Sequence, residues 1–191
     1  MKNVPDKKHF PYIKTLFVFI FIILFVICAV LYLYPVKYSE IISKYAEKYN
    51  LPDELIYAII NTESGFDEKE ISPKGARGLM QIMKDTADWI STKEEIENYD
   101  YERIFDPELN IHIGCLYIAW LKKNYGNNDT LILAAYNAGS GNIAKWLSNE
   151  KYSEDGKTLS EIPFKETKDY VRKVNYARTF YKYILKLPFI N

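Results

Sequence analysis

One acidic residue stands at the end of a strongly apolar helical run. The run Leu55–Ile60 is followed by Asn61-Thr62-Glu63-Ser64-Gly65-Phe66, which places Glu63 between an apolar core and a glycine turn. Desolvation at such a position disfavours the charged carboxylate and raises its pKa. A carboxyl group of this kind can donate a proton to a leaving oxygen and later accept one. The sequence therefore predicts acid and base chemistry at Glu63.

Three further segments accompany the segment ESGF at 63–66. They are GARGLMQI at 75–82, AYNAG at 135–139 and IPFKETKDYV at 162–171. In this order and spacing the four segments resemble the soluble-lytic-transglycosylase-like family, relatives of goose-type lysozyme, and FDPELNI at 105–111 is similar to a helix start of that family. Each segment alone is a weak signal, whereas the four together are specific. The resemblance extends over residues 38–187.

The resemblance implies a lysozyme-like α-helical domain that cleaves the β-1,4 bond between N-acetylmuramic acid and N-acetylglucosamine in peptidoglycan. In that family the muramic acid C6 hydroxyl, rather than water, attacks the anomeric carbon and leaves a 1,6-anhydro end. Glu63 would protonate the leaving oxygen and then accept the C6 proton. Two alternatives stay open at this point: a hydrolase of the same fold, and a peptidoglycan-binding protein without catalysis.

The resemblance also assigns contacts with the substrate to a set of residues: Ser64, Met80, Gln81, Tyr136, Asn137 and Tyr170. Among them, the Asn137 amide would bind an N-acetyl group, the Tyr136 ring would form the floor of the cleft, and the Tyr170 hydroxyl would lie near the acid. Each of three has an ordinary structural alternative. Ser64 could be a plain polar group at a helix end, Met80 could pack in the core, and Tyr170 could be a core tyrosine.

A second catalytic carboxylate is not evident near Glu63. Most glycosidases use two, an acid together with a nucleophile or base. Asp67 follows the glycine break, Glu68 and Glu70 fall in a polar loop, and Glu166 is expected to stabilise a helix start. An acceptor within the substrate removes the need for the second carboxylate. The residues therefore favour the anhydro product.

An uncharged run, Leu16–Tyr34, precedes these segments. Its 19 residues would form a helix of roughly 28 Å, close to the thickness of the bilayer hydrocarbon core. Lysines precede the run and no small-x-small cleavage site follows it, which favours an uncleaved signal anchor at 16–34 with a cytoplasmic N-terminus at 1–15. The catalytic domain, 38–187, would then lie outside the cytoplasmic membrane. Because the linker is only Pro35-Val36-Lys37, we expect action on glycan close to that membrane.

Beyond the anchor, apolar residues recur at helical spacing, and no long stretch alternates like a strand. The sequence predicts an all-α domain, with loops at 65–78 and 149–160 and a surface connection at 92–105. Ser39 and Asp129 are expected to cap helices, and Asp106, Pro107 and Gly126 to bound a long one. The predicted helices are 38–49, 52–63, 79–90, 107–125, 130–137, a short one around 143–147, and a last one bearing Val171, Val174, Ala177, Tyr181 and Ile184.

Composition excludes several classes of function. Beyond residue 36 the chain has 21 basic and 24 acidic residues, so its net charge of −3 does not indicate a nucleic-acid partner. Neither Cys28 nor Cys115 belongs to a Cys/His cluster with the spacing of metal ligands, and the two are not expected to form a disulfide. We expect no cofactor or metal. The expected partners are glycan strands and the membrane; the sequence does not identify any envelope machinery.

Overall fold

The computed structural model describes residues 11–96 and 99–188, and for residues 11–13 only the backbone. Within these ranges the regular structure is α-helical, with one short 3-10 helix and isolated bridges in place of strands. The chain divides after Pro35 into two compact units. The prediction of an all-α architecture with one N-terminal apolar helix is confirmed.

The first unit contains α1 (Pro11–Leu33), which includes the uncharged run except for its last residue. Its apolar side chains from Leu16 to Ile27 are exposed. By length and composition, Lys14–Leu33 could cross a membrane, although a signal sequence near the N-terminus meets the same criteria. The predicted cytoplasmic segment 1–15 lies mostly outside the described residues.

In the second unit the described residues form seven α-helices. These are α2 (Ser39–Lys48), α3 (Asp53–Glu63), α4 (Lys84–Ser91), α5 (Pro107–Tyr125), α6 (Asp129–Ala138), α7 (Ser140–Leu147) and α8 (Lys165–Ile184). Helix α3 is central: it packs along α8 and against α2, and Leu55–Ile60 are all buried. The Tyr57 ring stacks on Tyr181 of α8 with centroids 5.1 Å apart. The five residues predicted to form one face of the last helix are all buried.

The ends of α5 are where the sequence predicts them. Asp106 caps the helix by accepting a hydrogen bond from the Leu109 amide at 3.0 Å, and Pro107 is its first residue. Gly126, with φ +65°, follows its last residue. The helix is buried along most of its length and supports the loop that carries GARGLMQI.

Two other predicted caps are wrong by one residue. Tyr38, not Ser39, precedes α2, with φ +58°, because its ring stacks on Phe66 and its hydroxyl donates to Glu68. Asn128, not Asp129, caps α6, since its side-chain oxygen accepts from the Leu131 amide at 3.1 Å.

The predicted helix 79–90 begins five residues later, at Lys84. The backbone groups that would form its first turn are bound elsewhere. The Met80 amide donates to Asn110 Oδ1 at 2.8 Å, and Arg77 and Ile82 exchange two backbone hydrogen bonds of 3.1 and 3.0 Å. Residues 79–83 therefore belong to a long loop, 64–83, that connects α3 to α4.

The connection 92–105 is not a plain surface segment, and its residues 97–98 lie outside the described residues. It contains the 3-10 helix Tyr101–Arg103. Tyr101 is buried, and its hydroxyl donates to the Ile82 carbonyl at 3.0 Å. Ile104 is fully buried as well. The segment thus supports the loop 64–83 from below.

Candidate active site

Glu63 is the last residue of α3, and several contacts fix the turn that follows it. The Ser64 hydroxyl donates to the Leu79 carbonyl at 2.8 Å, which ties the helix end to the loop 64–83. Gly65 has φ +59°, a conformation that glycine adopts without strain. Phe66 is 3% exposed and holds the turn in the core. The sequence thus gives the Glu63 carboxyl a fixed position at the core boundary.

The environment of Glu63 favours its protonated form. Desolvation raises the pKa of Glu63 to about 7, and the neighbouring Tyr170 hydroxyl acts in the opposite direction. Among the described residues, Glu63 forms no salt bridge. A carboxyl with a pKa near 7 carries its proton for a large fraction of the time at neutral pH, which is the requirement for a general acid.

Tyr170 lies on the second turn of α8 and is 7% exposed. Its hydroxyl is buried beside Glu63 and Tyr136, and it finds no partner at hydrogen-bonding geometry within the described part of the chain. An unsatisfied buried hydroxyl costs about 1–3 kcal/mol. Such a group in a native fold calls for an explanation, and a functional role is one of the usual ones.

Met80 supports the site from beneath. Its side chain has no exposed surface and packs against Gly114 of α5, where a Cβ would collide with the Met80 sulfur. Its carbonyl accepts a hydrogen bond from the Tyr136 hydroxyl at 2.8 Å. Met80 therefore packs in the core, as in its structural alternative, and a sugar contact by Met80 stays a prediction.

Gln81 has an unusual backbone, with φ +48°. Its side-chain nitrogen donates to the carbonyls of Gly78 at 2.9 Å and Glu70 at 3.1 Å, so both N–H groups of the amide bind the loop. The oxygen Oε1 is the atom of this amide left to accept from a ligand.

Asn137 is the penultimate residue of α6 and lines the same pocket as Glu63. Its Oδ1 accepts a hydrogen bond from the Thr167 hydroxyl at 2.8 Å, and Thr167 is buried in the first turn of α8. This bond orients the amide and leaves Nδ2 as its donor. Gly139, with φ +84°, turns the chain immediately after the helix.

An open pocket of about 370 Å³ brings three helices together at Glu63. It is lined by Thr62 and Glu63 of α3, Asn137 of α6, and Glu166, Asp169, Tyr170 and Lys173 of α8. Three of the predicted residues therefore share this pocket. The other four, Ser64, Met80, Gln81 and Tyr136, are not part of its lining.

The sequence reasoning missed Thr62, Asp169 and Lys173. Asp169 lies three residues after Glu166, and Lys173 lies four residues after Asp169, so the helical repeat of α8 places all three on one face. That spacing was the available signal. Asn110, which fixes the loop 64–83 from inside α5, was also visible as a polar residue in an apolar helix.

Two other carboxylates line the pocket, and both are ion-paired. Glu166 is exposed and lies 3.4 Å from the Lys74 ammonium. Asp169 bonds to Lys165 at 2.7 Å and to Arg172 at 3.1 Å, and the Lys165 hydrogen bond lowers its pKa. Of the three carboxylates, Glu63 is the one suited to donate a proton.

Comparison with models of protein families identifies the family of this chain. A model described as "Transglycosylase SLT domain" matches residues 40–159, more than half of the chain. The chain belongs to this family. The resemblance inferred from its four segments is confirmed.

Two curated relatives of the SLT-domain chain illustrate the similarity. The chain is 36% identical over 154 residues to the "Soluble lytic murein transglycosylase" of Escherichia coli K12, a match that covers 80% of this chain and 24% of that protein. It is 32% identical over 167 residues to the "Membrane-bound lytic murein transglycosylase C" of Serratia proteamaculans, covering 76% of this chain and 47% of the relative.

Solved structures agree in fold. The Escherichia coli 70 kDa soluble lytic transglycosylase superposes with a TM-score of 0.73 at 35% identity, over 80% of this chain and 25% of that one. An inactive glutamate-to-glutamine mutant of the Pseudomonas aeruginosa lytic transglycosylase Slt gives a TM-score of 0.70 at 31% identity, over 82% of this chain and 26% of that one. The lysozyme-like fold is confirmed. The chain spans about a quarter of the length of these proteins.

The family match includes α3, the loop 64–83 and Asn137, but it ends before α8. Tyr170 and the other α8 residues of the pocket therefore lie beyond the matched range. The pocket of this SLT-domain chain combines matched elements with a last helix that has to be assessed on its own contacts.

Proposed function

We propose that this chain is a membrane-anchored peptidoglycan lytic transglycosylase. It cleaves the β-1,4 bond between N-acetylmuramic acid and N-acetylglucosamine and leaves a 1,6-anhydro-N-acetylmuramic acid end. Family membership and the names of the relatives support this activity. The observation that carries the proposal is Glu63, a carboxyl that has a pKa near 7, forms no salt bridge within the described ranges and lines an open pocket.

In the first step Glu63 acts as general acid. Its proton passes to the glycosidic oxygen as the bond to the muramic acid anomeric carbon breaks, and the N-acetylglucosamine portion leaves as an alcohol. The acetamido group of the muramic acid assists at the anomeric carbon. Glu63 is left as a carboxylate, and the Tyr170 hydroxyl, which lowers its pKa, stabilises that form.

In the second step Glu63 acts as general base. It accepts the proton of the C6 hydroxyl, whose oxygen forms the new bond to the anomeric carbon. Atoms and protons balance without water, and Glu63 returns to its protonated form. The proposed reaction uses no metal or cofactor.

The remaining residues divide into contacts and supports. We assign sugar contacts to the Asn137 Nδ2 donor and the Gln81 Oε1 acceptor, the amide atoms that their internal hydrogen bonds leave over. Ser64, Met80 and Tyr136 hold the wall of the cleft through bonds with the loop 64–83 and packing beneath it. Ser64, Met80 and Tyr136 would contact sugar only where a bound glycan strand extends beyond the pocket at Glu63.

A hydrolase of the same fold is the second candidate, because Glu166 and Asp169 line the same pocket. Either could in principle activate a water. The ion pairs argue against this role: the Lys165 hydrogen bond lowers the pKa of Asp169 and makes it a weaker base, and Glu166 is exposed and paired with Lys74.

Product analysis separates the two candidates. Purified glycan strands are digested with the full chain, and the soluble fragments are analysed by mass spectrometry. Muramic acid ends that lack the elements of one water are expected. Hydrated, reducing ends as the main product from the first time point onwards would refute the transglycosylase assignment and favour the hydrolase.

The domain organisation is part of the proposal. Residues 1–15 lie in the cytoplasm, 16–34 span the cytoplasmic membrane once, and 38–187 form the catalytic domain outside it. The length and composition of α1 and the membrane-bound relatives support this topology. The five residues between α1 and α2 are a short tether, so the domain works on glycan near the membrane.

A further inference from the structure

The last helix differs in charge from the rest of its domain. Residues 170–188 contain five basic residues and no acidic one, whereas the chain beyond residue 36 has a net charge of −3. Two of the five are paired: Arg172 with Asp169, and Arg178 with Glu54 and Asp129. Among the described residues, the other three form no salt bridge: Lys173, Lys182 and Lys186.

The same helix exposes a row of aromatic side chains. Tyr176, Phe180 and Tyr183 are 64%, 41% and 68% exposed. Their spacing of four and three residues places them on one face, opposite the buried face that packs on α3 and α6. We call these three rings, flanked by Lys173 on one side and by Lys182 and Lys186 on the other, the outer face of α8. Grouped exposed aromatic side chains mark an interaction surface.

The C-terminal end of this face lies where the chain enters the domain. Val36 and Ser39 line the same surface pocket as Lys182, Leu185 and Lys186. Helix α1 ends at Leu33, three residues before Val36. Three extended residues span at most about 10–11 Å. If α1 spans a bilayer, this end of α8 is held within a short distance of the lipid headgroups by chain length alone.

Tyrosine rings and lysines together are the chemistry of a membrane interface. Tyr places an apolar ring in the boundary layer and its hydroxyl in water, and Lys extends its ammonium towards lipid phosphates. Basic residues are attracted to an anionic lipid surface. The outer face of α8 combines both groups, and α8 itself contributes no acidic residue beyond Asp169; Asp53 and Glu54 of α3 line the pocket at its C-terminal end, beside Lys182 and Lys186.

We propose that the outer face of α8 docks on the anionic lipid surface of the membrane that holds α1. This inference rests on the proposed anchor. Docking would fix the orientation of the domain rather than leave it to rotate on its tether. Because Lys173 also lines the pocket at Glu63, docking brings the rim of the pocket to the membrane surface and makes membrane-proximal glycan its substrate.

A depth measurement on the full chain tests this. Cys28 is replaced by serine, and Cys115 is buried, so neither native cysteine reacts with the label. An environment-sensitive dye is attached at Thr179→Cys, an exposed position between Tyr176 and Tyr183 that leaves all three rings in place. Glu150→Cys, exposed after α7, is the matched control. Both variants are placed in nanodiscs of mixed zwitterionic and anionic phospholipid, some with a quencher on the headgroup.

We expect the dye at position 179 to be quenched at least threefold more than the dye at 150. The difference should shrink in purely zwitterionic discs and at high salt. Paired charge reversals, Lys182→Glu with Lys186→Glu, should abolish it. Equal, weak quenching at both positions overturns the docking.

Two further measurements keep the outcomes distinct. Flotation of the chain with vesicles reports the anchor alone, so a chain that floats while position 179 remains in water refutes docking and leaves the anchor intact. A chain that does not float refutes both. The variant Phe180→Ser with Tyr183→Ser, in detergent, is tested for binding to soluble glycan strands. A severalfold loss there, with position 179 unquenched, makes the face a glycan site and overturns the proposal.

Discussion

The C-terminal end of α3 and the N-terminal end of α8 both line the pocket, and their carboxyl groups have opposite electrostatic environments. At the start of α8, Glu166 and Asp169 are accompanied by Lys74, Lys165 and Arg172. At the end of α3, Glu63 forms no ion pair among the described residues, and desolvation raises its pKa to about 7.

The direction of the two helices reinforces the difference. A helix N-terminus stabilises negative charge and a C-terminus disfavours it, by about 0.3–1 kcal/mol at exposed sites. Glu166, in the first turn of α8, benefits from the α8 dipole, whereas the α3 dipole adds to the desolvation of Glu63. Carboxylates in one pocket therefore separate into a proton donor and two fixed charges. This separation is what the following predictions test.

The largest expected effect comes from Glu63→Gln. The amide keeps the size of the side chain but cannot deliver the proton, and general acid and base steps are worth about 10²–10⁴-fold. We expect turnover of glycan strands to fall by about 10³-fold while binding of the strands is retained, measured by fragment release and by co-sedimentation. Undiminished release would remove Glu63 from the mechanism, and absence of fragment release by the parent chain would identify a pure binding protein.

The same substitution should make the folded chain more stable at high pH. The unfolded chain loses the Glu63 proton near 4.5 and the folded chain near 7, so stability falls as the pH rises between these values. The full difference corresponds to about 3 kcal/mol. Glu63→Gln should therefore unfold at higher urea than the parent above pH 7 and at the same urea below pH 4.5. A gain that is equal at both pH values would point to packing instead of charge.

The sequence predicts those features of the fold and the site that are caused by residues close by in the chain. Glu63 could be found because its burial follows from the apolar run before it and the glycine after it. The length of α5 could be found because Asp106, Pro107 and Gly126 act on their immediate neighbours. The loop 79–83 could not, because Asn110, thirty residues away, binds the Met80 amide and prevents the helix that local periodicity favours.

The second part of the site that the sequence missed is likewise non-local. Asp169 and Lys173 become pocket residues only because α8 packs along α3, and their own spacing says merely that they share a face. Tyr170 was found through the family resemblance. The burial of its hydroxyl without a hydrogen-bond partner in the described part of the chain results from the packing of α8 on the rest of the domain, so the sequence does not show it.

The pH dependence of the rate is the next test. Glu63 has to be protonated in the free enzyme, so kcat/KM should fall about tenfold per pH unit above pH 7 and be level below it, until other groups titrate. The profile is measured on soluble glycan strands between about pH 3.5 and about 9. A decline centred near 4.5 would mean that the carboxyl is solvated in solution and that the contrast with Asp169 is absent.

Tyr170→Phe should act through Glu63. The Tyr170 hydroxyl lowers the pKa of Glu63, so its removal should move the alkaline decline of kcat/KM to higher pH. Losing the interaction of this hydroxyl with the carboxylate form corresponds to about 1 kcal/mol, or about a fivefold lower kcat at pH 6. The substitution also removes a buried unsatisfied hydroxyl, so stability should be kept. A rate loss without a shifted profile would assign Tyr170 to the substrate instead of the acid.

The smallest effect should come from the paired carboxylates. Glu166→Gln and Asp169→Asn keep the shape of the pocket and remove one charge each from groups that already have cationic partners. We expect kcat to change by less than about threefold in either variant, because exposed ion pairs contribute little, and the products to keep their anhydro ends. The decisive measurement is the ratio of anhydro to reducing ends over time. If either variant lost activity as severely as Glu63→Gln, that carboxylate would be a second catalytic group. The pocket would then have the two acids of an ordinary glycosidase, and the division of roles between the two helix ends would be wrong.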